Sequence, residues 1–117
     1  MRNTISINIA IPKDHYDFLI KKATNSHRSF RAESTIRLLD FLTTENVNFN
    51  DVKNYICHKN NIGTFVTCEI DHIANKKLDF LVNLINKERI KPVPKNLIAG
   101  ACLALHLQKY DSIFKQI

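Results

Sequence analysis

The side chains best suited to recognising another molecule alternate near the start of the chain. Thr4, Ser6 and Asn8 carry hydroxyl and amide groups, and an isoleucine follows each of them. Because successive side chains of a β-strand point to opposite faces, this alternation predicts a strand over residues 4–11. Its apolar face is buried, and its polar face is free to donate and accept hydrogen bonds.

A second segment repeats the pattern in the other half of the chain. Residues 64–70 alternate in the same way, with Phe65, Thr67 and Glu69 on the face opposite to the apolar one. A single half-buried strand is not stable in water, and even a two-stranded ribbon needs helices to cover it. We therefore expect the two strands to pair antiparallel and to present one joint polar face.

Other chemistry-bearing residues do not form a catalytic or metal-binding pattern. Cys57 precedes His58 and Cys68 lies four positions before His72, but zinc ligands in structural sites are usually spaced more tightly and in pairs. The chain also has no nucleophile elbow, phosphate-binding loop or paired carboxylates. We predict that it is not an enzyme and that it needs neither a metal nor another cofactor.

Composition restricts the partners and the compartment. The chain has 117 residues and a formal net charge of +6, which favours a polyanionic partner. No stretch reaches the ~20 apolar residues that span a bilayer, so no membrane association is expected. Three irregularly spaced cysteines fit reduced thiols, and the predicted localisation is cytoplasmic.

Each predicted strand is followed by two helices that would position it. Pro12, Ser29, Asp71 and Pro94 are all suited to helix starts, and the apolar residues after each recur at helical spacing. In the second helix Ile36 is among the residues predicted to face inward, and Asn50 is predicted to cap a short helix over 51–58. The first main helix is predicted from Pro12 to about residue 25 and the second after the Ser29 cap through residue 42, and the other two are predicted at 72–87 and 94–110.

The fold class predicted from these elements is mainly α with one two-stranded antiparallel β-ribbon. Two β-α-α units, at residues 3–44 and 63–110, would form an intramolecular pseudo-dimer within a single domain over 1–117. Residues 45–62 are a connector with the short helix, and 111–117 are a tail.

This organisation resembles the ribbon-helix-helix family of DNA-binding proteins of the Arc and MetJ type. The first strand ends in Ile-x-Ile-Pro, the segment Arg28-Ser29-Phe30-Arg31-Ala32-Glu33 resembles the start of the family's second helix, and residues 90–98 resemble it in the second half. Tandem versions resemble the TraY-like relaxosome proteins of conjugation systems. The resemblance covers nearly the whole chain outside the connector.

The resemblance implies sequence-specific binding of double-stranded DNA, as a transcriptional repressor or as a relaxosome accessory protein of a mobile element. The ribbon would enter the major groove, and the start of each second helix would bind a phosphate. The predicted base contacts are Thr4, Ser6, Asn8, Phe65, Thr67 and Glu69. The predicted phosphate contacts are Arg28, Ser29, Phe30 and Arg31 in the first half and Pro94, Lys95 and Asn96 in the second.

Two features depart from the family pattern. Phe65 and Glu69 stand where Arg, Lys, Thr or Asn is usual, and they would meet a thymine methyl group or a cytosine amino group. At the start of the last helix, Val93 has no capping side chain and Pro94 has no N–H.

Alternatives remain at this stage. The chain could be a protein-interaction module, antitoxin-like or a scaffold, with only secondary DNA contact. Self-association on adjacent sites, through the helices or the 111–117 tail, and contact with other DNA-processing proteins are further expectations.

Overall fold

The structure is a computed structural model that describes residues 4–44, 48–87 and 89–111. Within these ranges it contains five α-helices, one short 3-10 helix and one two-stranded antiparallel sheet. The prediction of a mainly helical chain with a single antiparallel ribbon is confirmed. In the described part, every helix falls short of the length and hydrophobicity needed to cross a bilayer.

The elements follow one another in the predicted order. The 3-10 helix Lys59–Asn61 precedes the second strand. The strands and α-helices are β1 (Thr4–Pro12), α1 (Lys13–Asn25), α2 (Phe30–Thr44), α3 (Phe49–Asn54), β2 (Ile62–Asp71), α4 (His72–Asn86) and α5 (Lys95–Asp111).

The sequence predicted the N-terminal cap of α4 correctly and that of α3 wrongly. The Asp71 side chain accepts a hydrogen bond from the N–H of Ala74 at 2.8 Å, so it caps α4 as predicted. The predicted cap of α3 is wrong: α3 begins at Phe49, and Asn48 caps it by accepting from the N–H of Asn50 at 2.9 Å. Asn48 and Asn50 lie only two positions apart and are equivalent capping residue types, which is why the pattern did not single one out.

The turn between α1 and α2 ends α1 with a left-handed residue. His27 has φ 57°, and the N–H of Arg28 donates to the carbonyl oxygen of Ala23 at 2.8 Å. This geometry is a Schellman motif, which satisfies the last carbonyl groups of α1 and reverses the chain. Ser29, at the start of α2, is thereby held close to α1.

The core lies between the inner face of the ribbon and the helices. Ile7, Ile9 and Val66, Cys68 and Ile70 are buried, as the alternation predicted. Of the predicted inward residues of α4, all four are buried: Ala74, Leu78, Leu81 and Ile85. Ile36 of α2 was predicted to face inward, and this is wrong, because the face of α2 beside the ribbon is open and leaves 45% of the residue exposed.

The second helix of each half packs on the strand of the other half. α5 lies against β1, α2 lies against β2, and the two helices contact each other. A partly buried chain of polar side chains joins them: Arg37 of α2 lies 3.5 Å from Nδ1 of His106, whose Nε2 is 2.8 Å from Asp40. Each half therefore depends on the other for its burial.

Some predictions fall partly or wholly outside the described residues. The residues outside are 112–117 of the predicted tail, 45–47 of the predicted connector and residue 3 at the start of the first unit. The division into two units and a connector stays a prediction.

Candidate nucleic-acid interface

The outer face of the ribbon carries all six side chains predicted to contact bases. The register pairs Asn8 with Thr67, Ser6 with Glu69 and Ala10 with Phe65. The six predicted residues are exposed, including Phe65 at 50%. They are Thr4, Ser6, Asn8, Phe65, Thr67 and Glu69. Cross-strand partners lie close enough for two side chains to meet one base pair together.

The start of α2 lies beside this face and exposes backbone N–H groups. The hydroxyl of Ser29 accepts from the N–H of Ala32 at 3.0 Å, and its carbonyl oxygen accepts from the N–H of Glu33 at 3.0 Å. The amides of Phe30 and Arg31 precede these bonds, so the helix itself offers them no acceptor. Ser29 is therefore the cap, as predicted, and the first turn presents two N–H groups to an external anion.

The side chains of Phe30 and Arg31 have different surroundings. The Phe30 ring packs edge-on against Tyr16, with 5.4 Å between the centroids, so its side chain anchors α2 to α1. Arg31 is exposed and lines the groove between α2 and the ribbon. In this first turn, Phe30 offers its amide and Arg31 offers both its amide and its guanidinium group.

Arg28 is held by an acidic partner. Its guanidinium donates to Glu33 at 2.9 Å, and Arg37 donates to the other oxygen of the same carboxylate at 2.6 Å. Glu33 is only 3% exposed; burial raises the pKa of its carboxyl, but the hydrogen bonds and charges of Arg37 and Arg28 outweigh burial and leave the pKa lowered. Arg28 is thus part of an ion-pair chain that stabilises the start of α2, with 42% of its side chain exposed.

The start of α5 is arranged differently. Lys95 donates to Asn75 at 2.6 Å and lies 2.7 Å from the carboxylate of Asp79. The N–H of Val93 donates to Asn86, and the carbonyl oxygen of Pro94 accepts from two amides inside α5. The carboxylate of Asp79 therefore partly neutralises the charge of Lys95, whereas Arg31 is exposed in the groove.

Asn96 follows Lys95 in the first turn of α5. Its Oδ1 atom is buried and accepts no hydrogen bond from any described residue. A phosphate accepts hydrogen bonds, so this oxygen would not contact it, and a contact by Asn96 would come from its side-chain NH2 group or its backbone N–H.

An open groove of about 490 Å³ connects the ribbon to the start of α2. It joins three of the predicted residues of the ribbon to two of the predicted residues of α2. Its lining is Ser6, Ser29, Arg31, Ala32, Thr35, Ile36, Thr67 and Glu69. Sequence reasoning missed Ala32, Thr35 and Ile36, although helical spacing from Ser29 and Arg31 places them on the same face.

On the corresponding flank of the ribbon, Gly100 allows α5 to pack directly against β1. A Cβ atom on Gly100 would lie 2.1 Å from the carbonyl oxygen of Ala10, so only a residue without a side chain lets α5 approach β1 this closely. Ala10 is fully buried by this approach, although it lies on the outer side of the alternation. Thr35 occupies the matching helical position in α2, six residues into the helix as Gly100 is in α5.

The cysteines lie outside this surface chemistry. Burial raises the pKa of the Cys102 thiol to about 12 and also raises that of Cys68, so neither is a reactive thiolate at neutral pH. No group of three His, Cys, Asp or Glu side chains within the described ranges is arranged to hold a metal ion.

Comparison of the chain with protein-family models, curated proteins and solved structures finds no match. The interface is therefore characterised by its own geometry and chemistry.

Proposed function

We propose that this protein binds double-stranded DNA in a sequence-dependent manner, with the β1–β2 ribbon in the major groove. The observation that supports this best is the open groove that joins the polar face of the ribbon to the first turn of α2. Base-reading side chains and an anion-binding helix start thus lie on one continuous surface.

The dimensions and chemistry of this surface suit DNA. A two-stranded ribbon fits the major groove, where hydroxyl and amide groups read the base edges. The exposed amides of Phe30 and Arg31, together with the Arg31 guanidinium, suit a backbone phosphate next to that groove. The net charge of +6 favours association with a polyanion.

The proposal includes an intramolecular pseudo-dimer. Lys13 begins α1 and His72 begins α4, and the same difference in residue number separates the paired residues Asn8 and Thr67. Exchange of the halves therefore leaves this pair at the centre of the ribbon. One chain would provide the ribbon that two identical subunits otherwise build.

In a cell, such a protein would act as a transcriptional repressor or as an accessory factor that positions other DNA-processing proteins on a mobile element. It requires no cofactor in either role. Two or more chains on adjacent sites would supply the affinity that one ribbon lacks.

The test is fluorescence anisotropy of the full chain with labelled DNA duplexes over a range of salt concentrations. Arg31→Ala should weaken binding to all sequences alike and flatten the salt dependence by about one unit of slope, because one phosphate contact is lost. Lys53→Ala, which removes the same charge from α3, is the matched control and should leave the slope unchanged. Absence of binding at low salt would refute the proposal.

A second candidate function is protein interaction through α4. Ile73 and Phe80 lie seven positions apart on this helix and are 72% and 63% exposed. Two large apolar side chains on one exposed helix face are typical of a contact surface. Retention on heparin that is lost steeply with salt would favour DNA binding over this alternative.

A further inference from the structure

The two ends of the ribbon present different chemistry. At one end Ser6 is paired with Glu69, and at the other Ala10 is paired with Phe65. Glu69 is exposed and offers only oxygen acceptors, whereas the half-exposed Phe65 offers an apolar ring.

The difference persists when the halves are exchanged. The exchange that retains the Asn8–Thr67 pair brings Ser6 onto Phe65 and Ala10 onto Glu69. Reading of a palindrome requires the same side chain at exchanged positions. Ser6 differs from Phe65, and Ala10 differs from Glu69, so neither exchanged position carries the same side chain.

The helix starts beside the two ends of the ribbon also differ. Beside Glu69 the groove is open and contains Arg31. Beside Ala10 the helix approaches until Gly100 meets the strand, and Lys95 is bound to Asp79. A DNA phosphate thus finds an exposed guanidinium at one flank and a partly neutralised ammonium group at the other.

Each end suits a different base. A carboxylate accepts a hydrogen bond from the amino group of cytosine, and an aromatic ring contacts the methyl group of thymine. Asn8, in the centre, suits adenine through two hydrogen bonds. Glu69 and Phe65 are four residues apart on one strand, which corresponds to about three to four base pairs along the DNA.

We propose that the ribbon reads a non-palindromic DNA site in one fixed orientation, with a C·G pair under Ser6 and Glu69 and a thymine under Phe65. This inference rests on the proposed DNA-binding function. It adds that a single chain confers a direction on the site, which a symmetric dimer does not.

The first experiment is selection of bound duplexes from a random-sequence pool with the full chain at two salt concentrations, followed by sequencing. The expected result is an asymmetric motif with a C·G pair and a thymine about three to four base pairs apart. A palindromic motif would overturn the inference and leave sequence-dependent DNA binding standing, whereas retention without a motif would overturn sequence dependence as well. No retention even at low salt would overturn the proposed function itself.

The second experiment replaces the selected thymine by deoxyuridine, which lacks only the methyl group. The unmodified protein should lose about tenfold in affinity, the scale of one base contact, whereas Phe65→Ser should bind both duplexes equally. Phe80→Ser is the matched control, because Phe80 is similarly exposed but lies on α4, and it should keep the full discrimination. Equal binding of both duplexes by the unmodified protein would overturn the assignment of Phe65.

The substitution Glu69→Gln tests the predicted C·G contact at the end of the ribbon where Ser6 pairs with Glu69. Glutamine pairs with adenine, so the selected C·G position should change towards A·T. The matched control is Asp17→Asn, which changes the same charge on α1 and should leave the motif as it was. An unchanged motif for Glu69→Gln would overturn the orientation proposed here.

Discussion

At the residue scale, Glu33 joins the turn before α2 to the body of the helix through two arginines. It is buried, accepts from Arg37 at 2.6 Å and from Arg28 at 2.9 Å, and lies in the first turn of α2 with Phe30 and Arg31. Removal of one member of a buried ion pair leaves the other charge uncompensated, which costs about 3–5 kcal/mol.

Glu33→Gln should therefore lower the free energy of unfolding by about 3 kcal/mol. Urea unfolding at neutral pH measures this, and Asp17→Asn, an exposed carboxyl on α1, is the control. A loss for Glu33→Gln no larger than that of the control would show that the ion pairs do not stabilise the fold.

The pH dependence follows from the direction of the pKa shift of Glu33. Its folded pKa is lower than its unfolded pKa, so its contribution is complete above the unfolded value of about 4.3. The contribution is lost as the pH falls through the lower folded pKa. Between neutral pH and this acidic range, the unfolding free energy of Glu33→Gln should fall less steeply than that of the unmodified protein.

Asn8 is the residue whose replacement tests base reading most directly. It is exposed at the centre of the ribbon, opposite Thr67. Asn8→Ala should relax preference at one base pair by about 1–3 kcal/mol and leave folding intact. Competition binding with single-base variants of the selected site measures this, and Asn83→Ala on α4 is the control. If Asn8→Ala kept both affinity and preference, the ribbon would not be the reading element.

At the scale of elements, the approach of α5 to β1 depends on one residue without a side chain. A methyl group at Gly100 would lie 2.1 Å from the carbonyl oxygen of Ala10, so α5 must move away. Gly100→Ala should destabilise the protein by about 1–3 kcal/mol, in the range of overpacked cores. Helix propensity alone predicts a gain of about 1 kcal/mol, so the sign of the change in urea unfolding decides between the two effects.

At the scale of the whole molecule, the packing of each second helix on the strand of the other half makes the two halves interdependent. The ribbon takes one strand from each half, and α2 and α5 cover the strand of the opposite half. Separate fragments 1–47 and 48–117 should each lack a cooperative thermal transition, and mixing should restore it. Circular dichroism measures this; a transition in one fragment alone that does not depend on concentration would contradict it.

Much of this fold could be predicted because its signals are local. The alternation of isoleucines specified which face of β1 is buried, the spacing of Leu78 and Leu81 specified the inner face of α4, and Ser29 and Asp71 specified helix starts. These features depend on strand and helix periodicity and on hydrogen bonds within three or four residues. Short-range physics therefore predicted the elements and the exposed face of the ribbon.

The parts that failed or were missed depend on what lies across the molecule. Ile36 matches the helical period of an inward residue, but α2 stands away from the ribbon there and leaves it exposed. Lys95 of α5 pairs with Asp79 of α4, and this ion pair forms only because the two helices pack together. Side-chain partners depend on the approach of whole elements, which no window of sequence describes.

By itself, the sequence determined the order of strands and helices, the polar outer row of the ribbon and the capped start of α2, because periodicity and capping operate over a few residues. Only the tertiary structure decided the register that places Asn8 opposite Thr67, the close contact of Gly100 with Ala10 and the open groove beside Arg31. The physical reason is that register and groove shape result from the simultaneous packing of both halves on one shared core.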